Sequence, residues 1–570
     1  MSSSILWALL AAIVLANAII VGVLVFRLLT PFARKLLLAL AGLEIALAML
    51  HVVFTYQPKS FASWFFNLDL EYTAGAVISA AQYTAVVLVA LINALRTPSL
   101  KALQRGFWAL LAAVFAWLAA DEFFSLHEEV MTWRSAYAIG GAAAVSAAAA
   151  AYWLWFRGQR VLFVPLLVGL VMMGTSGVLL DAITNDHVLV VGGVEMRWLL
   201  WFSCDGIIPI PCSEMNALGF IEEYFELAGA TIVLASLVTY SDLMQGEGGL
   251  RAVKRAIAAA AVLWAALFAS YMWIAPALSL ALDANPAQVD YVGGRLSLAG
   301  YRLPDRPLQP GETLPVTLYF RANAPLQDDY RLAVRVTPRY SEEVLDQMDF
   351  QLGEWQYPSS AWIAGLAVRN RASLHIPADI QTPRSYWLIA QVWSENEEVS
   401  IVASDRQQLT PNTVVLAELP ILSNSAAGEP HTAAAYRFAA GMALTGYTLP
   451  ASSAPGATLA VDFWWETDSK IEQDLNQYVH LFNEQGEFVW GYDQAPFGAD
   501  VFPTVTWPAG MHEAAHWEIA LPADLAPGSY SVYTGLYSLP DIAPQAVTDA
   551  QGQPVPENAI PLGTLTIESR

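Results

Sequence analysis

The sequence predicts an α-helical polytopic membrane bundle of about eight transmembrane helices followed by two tandem all-β, immunoglobulin-like sandwiches. Three observations carry this expectation. The chain has 570 residues, of which 56% are hydrophobic and only 14% charged, a balance too apolar for a protein soluble throughout. Charge is split between its halves: residues 1–282 hold 14 Lys+Arg and 17 Asp+Glu, whereas residues 283–570 hold 14 and 34. The first half is therefore close to neutral and the second strongly acidic, as expected of two environments. The second half also repeats itself at an interval of about 145 residues.

Eight apolar stretches approach the roughly 20 residues that cross a ~30 Å hydrocarbon layer. They lie near 5–26, 36–56, 72–95, 106–127, 135–155, 161–183, 216–240 and 257–281. The first has no Lys or Arg before it and no clear small-residue cleavage site, so it reads as a retained helix. Basic residues orient the bundle, because short cytoplasmic loops retain Lys and Arg. Arg27, Arg34 and Lys35 follow the first stretch; Arg96, Lys101 and Arg105 the third; Arg157 and Arg160 the fifth; Arg251, Lys254 and Arg255 the seventh. The alternate connections carry only Lys59, Arg134 and Arg197, among many acids. This places the N-terminus and the acidic half outside the cytoplasm of a multi-pass cell-membrane protein.

In the acidic half, Leu298-Ala-Gly-Tyr-Arg-Leu-Pro304 returns as Leu444-Thr-Gly-Tyr-Thr-Leu-Pro450. Gly311-Glu-Thr-Leu-Pro-Val-Thr-Leu-Tyr-Phe320 returns as Gly456-Ala-Thr-Leu-Ala-Val-Asp-Phe-Trp-Trp465, an alternating strand in both places. Tyr357-Pro358 with Trp362 returns as Phe502-Pro503 with Trp507. Short strands bounded by Pro, Gly, Asn and Asp favour a β-sandwich in each copy. The expected domains are 1–282, 283–424 and 425–570, the last two joined through the polar stretch Ser423–Pro430. The pattern Phe502-Pro-Thr-Val-Thr-Trp507 with Leu521-Pro-Ala-Asp-Leu-Ala-Pro-Gly-Ser-Tyr530 resembles sandwich modules appended to bacterial polytopic membrane proteins, some of them glycosyltransferases. That resemblance implies an extracytoplasmic accessory region and supplies no catalytic residue. The Trp and Tyr of the strands read first as core and packing, with glycan stacking as the alternative.

Ionisable residues inside apolar helices are costly and usually face a cavity or one another. Here they gather at the outer ends: His51 in the second stretch, Asp121-Glu-Phe-Phe-Ser-Leu-His-Glu-Glu129 ending the fourth, Asp181 ending the sixth, and Glu222-Glu-Tyr-Phe-Glu226 opening the seventh. Glu44 is the deeper exception. Glu222 and Glu226 share a helix face at i, i+4. The fourth stretch runs outward, so its acids sit at a C-terminal end whose dipole disfavours them. Something cationic should compensate. The expected metal ligands are Asp121, His127, Glu222, Glu226, His51 and Asp181, with Glu122 and Glu223 as acid/base groups. Carboxylates mixed with His suit Zn, Mn or Fe, and suit them better than a haem b held by His51 and His127. The Asp-Glu…His-Glu and Glu-Glu-x-x-Glu strings resemble those of uncharacterised bacterial multi-pass proteins. Cys204 and Cys212, close in an outer loop, are expected to form a disulfide.

Three functions are compatible with these features. The first is metal-dependent hydrolysis of a lipid-linked or surface glycan substrate at the outer leaflet, by an intramembrane hydrolase. The second is a non-enzymatic envelope protein in which the bundle anchors two binding or assembly modules. The third, a transporter, lacks the broken helix pairs and internal repeat usual for one. A net charge of −23 argues against a nucleic-acid partner, while the apolar stretches make the lipid bilayer a partner.

Overall fold

The computed structural model describes residues 21–124, 160–175, 220–423 and 428–569, apart from 56, 69, 71 and 355, together with residue 19 and a few positions within 190–209. Two compact units are present. One is Met1–Leu278 with the segments Pro325–Asp328 and Trp355–Val368; the other is Ser279–Ala324, Asp329–Glu354 and Arg369–Arg570.

The first unit is helical: α1 (Pro31–Thr55), α2 (Phe61–Phe65), α3 (Ala74–Arg96), α4 (Ala102–Phe124), α5 (Arg160–Thr175) and α6 (Phe220–Ala269). Local chemistry sets several ends. Ser60 and Ser63 form a reciprocal capping box at the start of α2. Pro98 disfavours helical geometry at Thr97, which is extended after α3. At Gly246 the backbone takes φ 60° and ψ −152° inside α6, a conformation open to glycine. The chain doubles back there. Before Gly246, Thr231 and Ser241 meet Gln82 and Asn93 of α3 in the same order; after it, Trp264 and Tyr271 meet Thr84 and Tyr72 in reverse order. The core joins Val86, Val89, Trp108, Phe115, Leu166, Val233 and Leu237.

The expectation of eight separate spans is corrected. Among the described residues, four helical runs are long and apolar enough to cross a membrane: Pro31–Phe54, Ala74–Arg96, Ala102–Glu122 and Ile221–Leu282. The described part of the seventh apolar stretch and the eighth lie on either side of the reversal at Gly246, within the continuous run Ile221–Leu282 that counts as one of the four. The sixth is described from Arg160 to Thr175, as α5; its remainder lies outside the described residues. The fifth stretch lies outside the described residues, as does most of the first.

Helix α7 (Ala275–Leu282) leads into the second unit, which is built of strands. Its first part contains β1 (Asn285–Tyr291), β2 (Leu296–Arg302), β3 (Thr313–Ala322), β4 (Arg331–Pro338), β5 (Asp346–Gln351), β6 (Ala367–His375), β7 (Arg384–Trp393), β8 (Ile401–Ser404), β9 (Gln408–Thr410) and β10 (Thr413–Ile421). These form sheets ordered β6-β3-β2-β1-β8 and β9-β10-β7-β4-β5. Then follow β11 (Thr432–Phe438), β12 (Met442–Thr448), β13 (Ser452–Ser453), β14 (Thr458–Thr467), β15 (Leu475–Phe482), β16 (Phe488–Gln494), β17 (His512–Ala520), β18 (Gly528–Ser538), β19 (Ala543–Pro544), β20 (Val547–Thr548) and β21 (Ile560–Ile567). Their sheets run β17-β14-β12-β11-β20 and β13-β21-β18-β15-β16, with β19 beside β18. Alternation decides what each strand buries: in β14, Leu459, Val461, Phe463 and Trp465 point inward.

The expectation of two tandem immunoglobulin-like sandwiches is also corrected. The sheets are sandwich-like layers that remain open, each ending on edge strands, several of only two to four residues. Alternation in sequence assigns faces; it carries no information about whether edges meet.

Between the two strand regions, the Ser423 N–H donates to Glu513 Oε1 at 2.7 Å. Burial of Glu513 raises its carboxyl above the usual range, against the lowering effect of Ser423 and His512. A raised folded-state value means that the folded state holds this proton more tightly than the unfolded chain. The contribution to stability is present below the unfolded value and is lost as pH rises through the folded one. Glu513→Gln keeps an acceptor for Ser423 and removes the ionisation. We expect the variant to melt no lower than wild type at neutral pH and to lose part of the decline in melting temperature above the ordinary carboxylate range. An unchanged pH profile would refute this.

Candidate functional site

The acidic end of the helical unit is organised around two carboxylates that reach across helices. Glu44 of α1 is 1% exposed. Its Oε1 accepts from Thr231 Oγ1 of α6 at 2.5 Å and from Gln82 Nε2 of α3 at 2.9 Å; Gln82 Nε2 also lies 3.0 Å from Thr231 Oγ1. Three helices are thereby tied at one buried oxygen. An acceptor shared by two donors in an apolar setting is worth more to packing than the same pair in water. One residue along α3, the Tyr83 hydroxyl donates to Glu226 Oε2 at 3.2 Å. Glu122 and Glu223 lie within electrostatic reach of the same phenol, so α4 and the start of α6 bring their acids toward α3.

His51 is 2% exposed. Its Nδ1 accepts the Leu68 N–H at 3.0 Å, so the ring ties α1 to the connection between α2 and α3. Asp121 is buried and Glu222 half-buried, and both interact with further neighbours. Of the expected ligands, His51, Asp121, Glu222 and Glu226 are described, and so are the expected acid/base groups Glu122 and Glu223. His127 and Asp181 lie outside the described residues, as do Cys204 and Cys212. Among the described residues, no group of three or more His, Cys, Asp or Glu is arranged to hold a metal ion.

Gln82, Tyr83 and Thr231, the partners of the carboxylates, are absent from the sequence-derived site. They carry no charge, so a search for intramembrane ionisable groups passes over them. Neutral polar residues inside apolar helices were the available signal. The same holds at the other end of α3, where Asn93 Nδ2 donates to Leu237 O at 3.2 Å and Asn93 Oδ1 accepts from Ser241 Oγ at 2.6 Å.

No protein-family profile and no curated protein matches the chain. Among solved structures, the C-terminal domain of wzt is similar at 13% identity, covering 26% of this chain and 90% of that one, with a TM-score of 0.16. A DUF4785 family protein from Legionella pneumophila is similar at 9% identity, covering 46% of this chain and 57% of that one, with a TM-score of 0.14. Neither likeness bears on activity.

Proposed function

We propose that the protein is an envelope anchor: the helical unit holds a β-rich region on the outer side of the membrane as a binding or assembly surface. The observation that carries this reading is the joining, in one chain, of long apolar helices to open, mainly antiparallel sheets with an acidic composition. The placement of Glu44 supports it further, since the deepest carboxylate is engaged in joining helices. We also read residues 283–424 and 425–570 as two copies of one module. Their sheets share a strand order, and Trp362 and Trp507 donate their indole N–H to the carbonyls of Tyr357 and Phe502, five residues back in each case.

Sidedness tests the anchor. In a background with Cys204 and Cys212 replaced by serine, single cysteines are placed at exposed Gln485 and exposed Glu247, and intact cells are treated with a membrane-impermeant maleimide. Labelling of Gln485→Cys alone is expected. Labelling of Glu247→Cys alone overturns the reading.

A second reading, metal-dependent hydrolysis at the outer leaflet, draws on the gathering of Glu122, Glu223 and Glu226 near Tyr83. A metal bound only by the native state raises stability by mass action. Metal-free full-length protein supplied with Zn, Mn and Fe in turn should then melt higher with at least one of them. Unmoved melting with all three removes this reading and leaves the anchor.

A further inference from the structure

The sheet β13-β21-β18-β15-β16 buries Val479, Leu481, Val532 and Leu536 on its inner face. Its outer face consists of the residues that alternate with these. On β15 they are Tyr478, His480 and Phe482; cross-strand pairing adds Phe488 and Asp493 from β16 and Tyr533 and Tyr537 from β18. The rings touch in an unbroken row. Tyr478 and His480 stack with centroids 4.2 Å apart, His480 meets Phe488 at 5.1 Å, Phe488 meets Phe482 at 5.8 Å, and Phe482 meets Tyr533 at 5.5 Å. Glycines make room for the row. A methyl group at Gly491 would lie 2.5 Å from His480 Cδ2, and one at Gly535 would lie 2.5 Å from the Tyr478 hydroxyl.

Hydrogen-bonding groups run beside the rings. Asp493 pairs with His480 Nε2 at 3.2 Å and accepts from the Tyr537 hydroxyl at 3.1 Å; Asn476 Nδ2 donates to that hydroxyl at 3.3 Å. The other sheet of this region has an ordinary solvated exterior, with His512 on Glu466 and His516 on Asp462. The contrast separates the aromatic face from a generic sheet surface. Charge narrows the occupant. Residues 471–569 contain 13 Asp+Glu and no Lys or Arg, a field that repels phosphates, uronic acids and anionic lipid. On the face itself, the Asp493 carboxylate already has two partners, so rings and neutral hydrogen-bonding groups dominate.

We propose that this face binds an uncharged pyranose glycan, whose C–H faces stack on the ring row while its hydroxyls bond Asn476, Asp493 and Tyr537. This deepens the anchor reading and rests on it. Flat apolar faces edged by hydroxyls match aromatic rings flanked by a few convergent polar groups.

The test uses full-length protein in phosphatidylcholine nanodiscs, titrated by calorimetry with maltoheptaose, cellohexaose, mannohexaose and chitohexaose. An oligogalacturonate and a decalysine peptide serve as charged probes. At least one neutral oligosaccharide should bind, with little dependence on salt, and the oligogalacturonate should not. Tyr478→Ala and Phe488→Ala should each weaken binding about tenfold, the loss typical of truncating an aromatic anchor. Phe488 is 56% exposed, so its truncation leaves the core intact; Asp493→Asn, nearly isosteric, provides a second variant and should also weaken binding. The proposal is overturned if none of the four neutral sugars binds, if binding ignores all three substitutions, or if a charged probe binds in their place. It is equally overturned if Phe488→Ala dissociates a dimer of the chain while no sugar binds. Gln485→Cys labelled from outside with no sugar bound defeats the glycan proposal alone; labelling of Glu247→Cys alone defeats the anchor reading beneath it.

Discussion

Gly229→Leu is expected to separate α5 from α6 and lower the melting temperature of the helical unit by about 5–10 °C, or to prevent accumulation of folded protein. The two helices approach through facing glycines. A methyl group at Gly229 would lie 2.6 Å from Met173 Cγ and 2.8 Å from Gly169 O; one at Gly169 would lie 2.7 Å from Gly229 O and 2.8 Å from Val233 Cγ2. A backbone carbonyl cannot rotate away as a side chain can, so any Cβ at either position pushes the helices apart. Small residues at membrane-helix crossings allow this approach, and dispersion and interhelical bonding over the whole seam are lost with it. Gly106→Ala is the matching control. Nothing lies within 4 Å of a Cβ there, so the variant should melt slightly higher through helix propensity alone, a gain of about 0.5–1 kcal/mol. Equal melting of Gly229→Leu and wild type, by circular dichroism in detergent, would show that α5 is not seated on α6.

Trp507→Ala should destabilise the C-terminal strand region by about 3–5 kcal/mol, the usual cost of emptying a large aromatic site. At about 2–4 °C per kcal/mol for a region of this size, the loss in melting temperature is large. Trp507 is fully buried, with ring centroids 5.4 Å from Phe497, 5.9 Å from Phe502 and 6.2 Å from Trp465. Its indole also donates to Phe502 O at 3.1 Å. Trp507→Phe keeps most of the volume and leaves that carbonyl without its donor, so its cost should be smaller, about 1–3 kcal/mol. Near-ultraviolet circular dichroism of the full chain reads both variants. If Trp507→Ala melts like wild type, the buried aromatic cluster is not what holds the two sheets together.

Much of the architecture is legible because it depends on summed transfer preferences and on short periods. The apolar run within the 25-residue α1 and the alternation in β3 and β14 need no partner to be recognised. The gathering of Glu122, Glu223 and Glu226 near Tyr83 was partly legible too, because charges in apolar helices are conspicuous. Tyr83 itself was not. A tyrosine in an apolar helix is unremarkable until packing sets it against a carboxylate. Gln82 and Thr231 were missed for the same reason, although they engage Glu44 more closely than any charged group shown here.

The sequence by itself determined that the first half is built of apolar helices and the second of strands, since each residue's preference for lipid, core or solvent acts locally. The outer aromatic face of β15 is encoded in the same way, by every second residue from Tyr478 to Phe482. Two things were decided only in three dimensions: the open edges of the sheets, and the convergence of Gln82 and Thr231 on Glu44. Each depends on which distant groups meet. Contacts between residues 38 to 187 positions apart follow from helix register and sheet pairing, which many sequences of the same apolar pattern would settle differently.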